Sequence, residues 1–233
     1  VRSLARRLRR EERGFTLAEL LVATTVGVGV LLAAGTLASA FMHAQARISD
    51  RSESIARGRT AMEQIVQQLR SQVCLGPGYP AITYGDDSHV TFYADLANRT
   101  FVPQQRDLQY AGGALTERDY SGTATGAQPP FTFSSTPSRT RAILDKLQLQ
   151  SAAGVSVPFF RYYSFDGNNP IRPSRLLTTP LSASDAQRVV QIAVSFQALP
   201  SRGGSGTTAE PFTANVYVRT ADPTDPDHSP LCI

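Results

Sequence analysis

The sequence predicts an α+β protein: one long N-terminal helix, transmembrane in its first half and amphipathic in its second, packed on an antiparallel β-sheet head. Three observations predict it. Leu20 to Met42 is a run of 23 residues without a charged side chain. At a rise of ~1.5 Å per residue it makes a rod of roughly 34 Å, enough to cross a bilayer core. His43 to Val73 holds no proline and one glycine, Gly58, and sets its apolar residues on one helical stripe. From Tyr79 onward the pattern becomes short alternating runs broken by Gly, Pro and Asn, as strands and turns require.

The helix comes first. In the amphipathic part, Ile48, Ile55, Met62, Ile65, Val66, Leu69 and Val73 form the stripe. Arg47, Asp50, Arg51, Glu53, Arg57, Arg59, Glu63 and Arg70 occupy the other faces. One helix is therefore predicted from about Phe15 to Val73, ended by Gly76-Pro77-Gly78. A coiled coil is the alternative for the second half, but sustained heptads are missing. In the apolar half, Gly27, Gly29 and Gly35 each cost about 1 kcal/mol relative to Ala in water. Small residues such as Ala23 and Gly27 let membrane helices approach closely. The organisation read from this is a basic leader over 1–14, the apolar half of the helix over 15–42, its amphipathic half over 43–75, and a β-rich head over 76–233.

In the head, His89 to Ala94 reads as a strand, and Asp107–Tyr110 and Leu115–Arg118 as weaker strands around Gly112-Gly113. Gly122 to Pro137 is a loop or an edge excursion by composition. Ala142 to Leu149 fits either a strand or a helical face. Pro158 to Phe165 is aromatic (Phe159, Phe160, Tyr162, Tyr163) and closes at Asp166-Gly167-Asn168-Asn169, a turn. Val189–Ala198 and Phe212–Val218 alternate, so each is predicted as a strand with one buried face, joined as a hairpin through the turn Ser201–Gly206. The apolar face of that hairpin needs a cover, which the amphipathic helix supplies.

Charge is unevenly placed. The first 14 residues hold six arginines and two glutamates, and the remaining 17 basic and 17 acidic residues cancel. The head is thus not a basic nucleic-acid-binding protein by composition. Basic residues beside an apolar helix hold that end in the cytoplasm, which places the head outside. There a disulfide between the two cysteines, Cys74 and Cys232, is permitted, and in the chain-entropy model so large a loop gains about 5 kcal/mol. Two free thiols are the alternative. Glu19 is a carboxylate just inside the apolar end, where an acid is costly and marks a functional site unless it sits at headgroup level.

Gly14-Phe15-Thr16-Leu17-Ala18-Glu19-Leu20-Leu21-Val22, behind its arginine-rich leader, resembles the processing site of type IV prepilins and type II secretion pseudopilins. The resemblance covers about 30 residues. It implies that a membrane prepilin peptidase cuts between Gly14 and Phe15 and methylates the new N-terminal Phe15. It implies that Glu19 pairs with the Phe15 amine, of its own or a neighbouring subunit, and draws a subunit into register during assembly. It implies glycines that ease local unwinding of the helix in a filament, and a pilin-like fold. The late strands after the aromatic segment Phe159-Phe160-Arg161-Tyr162-Tyr163 resemble J or W type minor pilins more loosely, which implies a place in a tip or initiation complex. The implied partners are the prepilin peptidase, other major and minor pilins, an inner-membrane assembly platform and membrane lipid. The implied location is a single-pass cytoplasmic-membrane protein that moves into a periplasmic or extracellular filament.

The alternatives are distinct. A cleaved secretory signal has a shorter apolar region. A plain signal anchor has the same charges and length and lacks only the glycine-to-glutamate motif. Turnover chemistry is not expected, and neither a cofactor nor a metal. His43, His89 and His228 are far apart, and there is neither a phosphate loop nor a nucleophile elbow. Asp222-Pro223-Thr224-Asp225-Pro226-Asp227 lacks the glycine and glutamate of a helix-loop-helix calcium site and reads as a solvated tail. Asn98-Arg99-Thr100 is a glycosylation sequon, a short and common match. Tyr162 and Tyr163 are read as core sooner than as a stacking platform for single-stranded DNA. The function classes are a filament subunit, a pilus-associated binding module for adhesion or DNA uptake, and a signal-anchored protein or enzyme.

Overall fold

The computed structural model describes residues 16–76, 79–94, 103–123, 131–166, 172–201 and 209–219. Its first element is α1 (Leu17–Arg70), a continuous helix of 54 residues. Contacts divide the chain into two units, Val1–Ser49 and Asp50–Ile233. In the first, α1 is exposed throughout its described length. In the second, the remainder of α1 packs on antiparallel sheets, the predicted α+β arrangement.

The helix ends at Arg70, before the predicted Val73. The Ser71 N–H is shared between Gln67 O and Gln68 O. Gln72 then bridges Ala94, and the Val73 N–H donates to Tyr93 O at 2.9 Å. Strand pairing takes over the chain before Gly76 is reached. The buried side of α1 also differs from the predicted stripe. Ile48 is exposed and Ile55 only half-buried. The buried set is Ser54, Gly58, Ala61, Met62, Ile65, Gln68 and Leu69. Gly58 belongs there because a Cβ at that position would lie 2.2 Å from the Phe212 ring.

The first sheet has the order β1 (Ile82–Gly85), β2 (His89–Ala94), β3 (Gln104–Ala111), β4 (Ala114–Thr123), β5 (Thr132–Phe133), with β6 (Arg139–Leu144) also paired to β4. β2 has the predicted bounds. The two weaker predicted strands are the middle of the longest hairpin, β3–β4, turned by Gly112 and Gly113 with φ of 57° and 78°. Both central residues of such a two-residue turn need positive φ, which glycine supplies without steric cost.

The ambiguous stretch Ala142–Leu149 is neither one strand nor a helix. β6 ends at Leu144, Lys146 turns the chain with φ of 53°, and β7 (Leu147–Gln148) joins the second sheet. That sheet has the order β11 (Arg175–Leu176), β10 (Phe160–Ser164), β12 (Gln191–Ala198), β13 (Glu210–Tyr217), with β7 beside β12. A small hairpin, β8 (Ser151–Ala152) with β9 (Val155–Ser156), and a one-turn helix, α2 (Ala183–Gln187), complete the head.

The predicted late hairpin is present as β12–β13, in register from Gln191↔Tyr217 to Ala198↔Glu210. β13 alternates between covered and exposed positions, as predicted. β12 does not: it is buried on both faces except at Gln197. It is central, with β10 and β13 alongside, and on its outer face Gln150 Nε2 donates to Phe196 O and Phe212 O while Arg161 lies against Ser195. One core joins both sheets to the helix: Ala61, Ile65 and Leu69 of α1 cluster with Phe92, Leu108, Phe160, Tyr162, Ile192, Phe196 and Val216.

Candidate functional site

The first turn of α1 is closed by Thr16 and Glu19. The Leu20 N–H donates to Thr16 O at 3.2 Å, the first helical bond. Thr16 Oγ1 accepts from the Glu19 N–H at 3.3 Å, and Glu19 Oε2 accepts from the Thr16 N–H and hydroxyl at 3.4 Å each. This is a reciprocal capping box, and its carboxylate also stands at the positive end of the helix dipole. The signal was readable as Thr-x-x-Glu ahead of an apolar run, and the sequence reading did not use it. Among the described residues the carboxylate is engaged through Oε2. Gly14 and Phe15, the predicted processing site and the predicted partner of Glu19, lie outside the described residues.

Beyond the cap, the helix is long and apolar enough to cross a membrane, and no residue of its most apolar stretch is buried. Leu17, Leu31, Leu37 and Phe41 are each 70% exposed or more. Three threonine hydroxyls along it are closed locally. Thr24 donates to Leu21 O, Thr25 to Leu21 O and Val22 O, and Thr36 to Ala33 O, all near 3.0 Å. Such back-bonding satisfies these three threonine donors without water. A Cβ at Gly27, Gly29 or Gly35 would meet nothing within 4 Å, so no contact within the chain calls for glycine there.

The head holds two charge clusters that sequence reading missed, because each is assembled across strands. On the helix-facing side, Arg106 Nη1 contacts Glu117 Oε1 at 2.8 Å, Arg141 pairs with Glu117 Oε2, and Arg106 Nε stands 3.7 Å from Asp119 Oδ1. Burial by itself would raise the Glu117 carboxyl. Hydrogen bonds from Gln68 of α1 and from Arg141, with the charges of Arg106 and Arg141, outweigh it and hold the group below its usual range. Asp119 goes the other way: burial and the Glu117 charge raise it against the pull of Arg106.

On the opposite side, Asp107 accepts from Arg118 at 3.0 Å, pairs with His89, and lies 3.3 Å from the Thr91 hydroxyl. Burial raises the Asp107 carboxyl, and the bonds and charges of His89 and Arg118 bring it below the ordinary value. Among the described residues no group of three or more His, Cys, Asp or Glu could hold a metal ion.

The other singled-out residues are scattered. His43 is exposed on α1. Tyr162 is core, its hydroxyl donating to His89 O at 3.0 Å, and Tyr163 is half-exposed on the outer side of β10. Cys74 is half-buried and disulfide-bonded. Cys232, His228, the Asp222–Asp227 tail, the Asn98 sequon and the Gly167-Asn168-Asn169 turn lie outside the described residues. No family model matches the chain, and no curated protein matches it significantly.

Proposed function

We propose that the protein is a membrane-stored subunit of a pilin-like filament: a minor pilin or pseudopilin of a type IV pilus or a type II secretion system, placed in the tip or initiation complex. The observation that carries the reading is the uncovered apolar length of α1. A helical stretch this apolar, with none of its residues buried, needs lipid around it before assembly and other apolar helices after it. The motif from Gly14 to Glu19 supplies a processing site at its start. The further part of the same helix packs on the head, so processing would release a finished subunit. Glu19, capped through one oxygen, retains the other for the Phe15 amine of its own or a neighbouring chain. The subunit would act by assembly rather than turnover, with prepilin peptidase, sister pilins and the assembly platform as partners. Its leader would face the cytoplasm and its head the outside.

The experiment is to shear filaments from the native cells and identify the N-terminal peptide of this chain by mass spectrometry. A methylated peptide that begins at Phe15, scarce beside a major subunit, is the expected result. A protein that remains wholly in the membrane with residues 1–14 attached refutes the reading. A second reading, a plain signal anchor, is favoured by the capping box itself, which gives Glu19 a local role without any neighbour. It predicts that Glu19→Gln changes neither insertion nor location.

A further inference from the structure

The outer face of the second sheet carries an uncompensated arginine. β10, β12 and β13 pair so that Tyr163, Gln191 and Tyr217 form one row across the sheet, and Arg161, Ala193 and Asn215 the next. Leu176 of β11 extends the first row. The alternate residues Tyr162, Ile192 and Val216 are core, so these rows stand on the opposite face. Strands lie about 4.8 Å apart, so Arg161 and Asn215 are roughly 10 Å from each other with only the Ala193 methyl between them. Ala193 is 2% exposed and Ser195 1%, whereas Tyr217 is 57% exposed and Leu176 58%. Ala193 and Ser195 are thus covered by the longer side chains beside them, Arg161 among them, while Tyr217 and Leu176 stand out into solvent.

Arg161 is the group on this face without a partner to match its charge. Its hydrogen bond is a long one, Nη2 to Ser195 Oγ at 3.4 Å, and its Nε is buried without a partner. Arg57, Arg106, Arg118 and Arg141 each have a carboxylate within 4 Å. Among the described residues Arg161 has none, and neither row contains an acid. A guanidinium cannot shed its charge, and a half-buried one without a counter-ion is under-compensated. Its fork matches a carboxylate through two parallel hydrogen bonds. The side chains around it, two tyrosines, a leucine and two amides, have the composition of a protein interface anchor.

We propose that this face docks an acidic segment of a partner protein, with an Asp or Glu carboxylate on Arg161 and the flanking residues against Tyr163 and Tyr217. The inference rests on the sheet alone and stands whether or not the chain enters a filament.

The test uses the full chain in detergent, labelled in its arginine side chains, titrated with a capped pentapeptide of alternating alanine and glutamate, with its glutamine counterpart, and with a sulfated oligosaccharide. The glutamate peptide is expected to shift the Arg161 Nε–H resonance and the glutamine peptide is not. Arg161→Ala is expected to weaken binding at least about tenfold, equivalent to roughly 1.4 kcal/mol. Tyr217→Ala, at an exposed position, is expected to weaken it too, and supplies the readout if Arg161→Ala disturbs the fold. No Arg161 shift with the glutamate peptide, equal shifts with both peptides, or undiminished affinity in the variants overturns the proposal. Tighter binding of the oligosaccharide at the same residues also overturns it, since the partner class would be wrong.

Discussion

Glu117 and Gly58 show how individual residues set the docking of helix on sheet. Glu117 is 1% exposed and receives Arg106, Arg141 and Gln68, so one carboxylate ties β3, β6 and α1 to β4. Glu117→Gln would leave two arginines under-compensated and is expected to cost about 3 kcal/mol, read from urea midpoints at neutral pH. The pH dependence follows from the directions of the shifts. Glu117 and Asp107 titrate below their usual range in the folded protein, so their contribution is present above the unfolded values near ~4 and is lost as pH falls through the folded ones. Asp119 is raised, so its ionisation opposes folding, and it returns stability as pH falls through its folded value. Asp119→Asn is therefore expected to raise the midpoint near pH 7, while Glu117→Gln flattens the acid limb. A Glu117→Gln acid limb as steep as the wild type, or an Asp119→Asn midpoint unchanged near pH 7, would contradict the corresponding assignment. At Gly58, a methyl group would enter the Phe212 ring at 2.2 Å, and Gly58→Ala is expected to cost roughly 1–3 kcal/mol. The loss should shrink in a Phe212→Leu background, and a double-mutant cycle measures that coupling.

Among the elements, α1 changes character along its length for a physical reason. Before Ser49 its apolar residues point to all sides, and the hydroxyls of Thr24, Thr25 and Thr36 are satisfied by its own carbonyls. From Ser54 on, burial is confined to one side, and small residues there admit β13 and its Phe212 ring. Substituting Gly27 or Gly35 by Ala removes conformational freedom without a clash inside the chain. Helix content in detergent is then expected to stay level or rise. If the glycines serve filament packing, incorporation into sheared filaments should fall in the same variants. Normal incorporation would remove that role. The second element of interest is β12, central and covered on both faces, where a polar residue of the sequence, Ser195, is 1% exposed.

At the scale of the whole molecule, the core that joins helix to sheets draws on residues from Ala61 onward and lies in the second unit. A chain that begins at Asp50 is therefore expected to fold without detergent, with β-rich circular dichroism and a cooperative thermal transition. The full chain should require detergent or lipid. Aggregation of the shortened chain as a molten species would show that the apolar half takes part in folding the head. Cys74 is disulfide-bonded. Reduction is accordingly expected to lower the stability of the shortened chain by about 2–5 kcal/mol, and non-reducing peptide mapping should return Cys74 joined to Cys232.

Features that depend on local pattern are legible in the chain before it folds. An uncharged run of bilayer length makes an uncovered helix, and alternation makes β2, β12 and β13. Two glycines make the β3–β4 turn, and the α+β class follows from their order along the chain. The motif around Glu19 is local too, since the cap that closes it spans four residues. Features that depend on strand register, or on the other side of a contact, emerge only in the folded molecule. The helix stops at Arg70 because β2 offers Val73 a partner. Gln68 is buried because Glu117 is across from it. β6 and β7 part into two sheets at Lys146. Arg161 is left without a carboxylate because the register sets it beside Ala193. Charged and small residues carry no periodic signal of burial. Whether they end up in a core, an ion pair or a docking site is settled only when distant strands bring, or fail to bring, their partners.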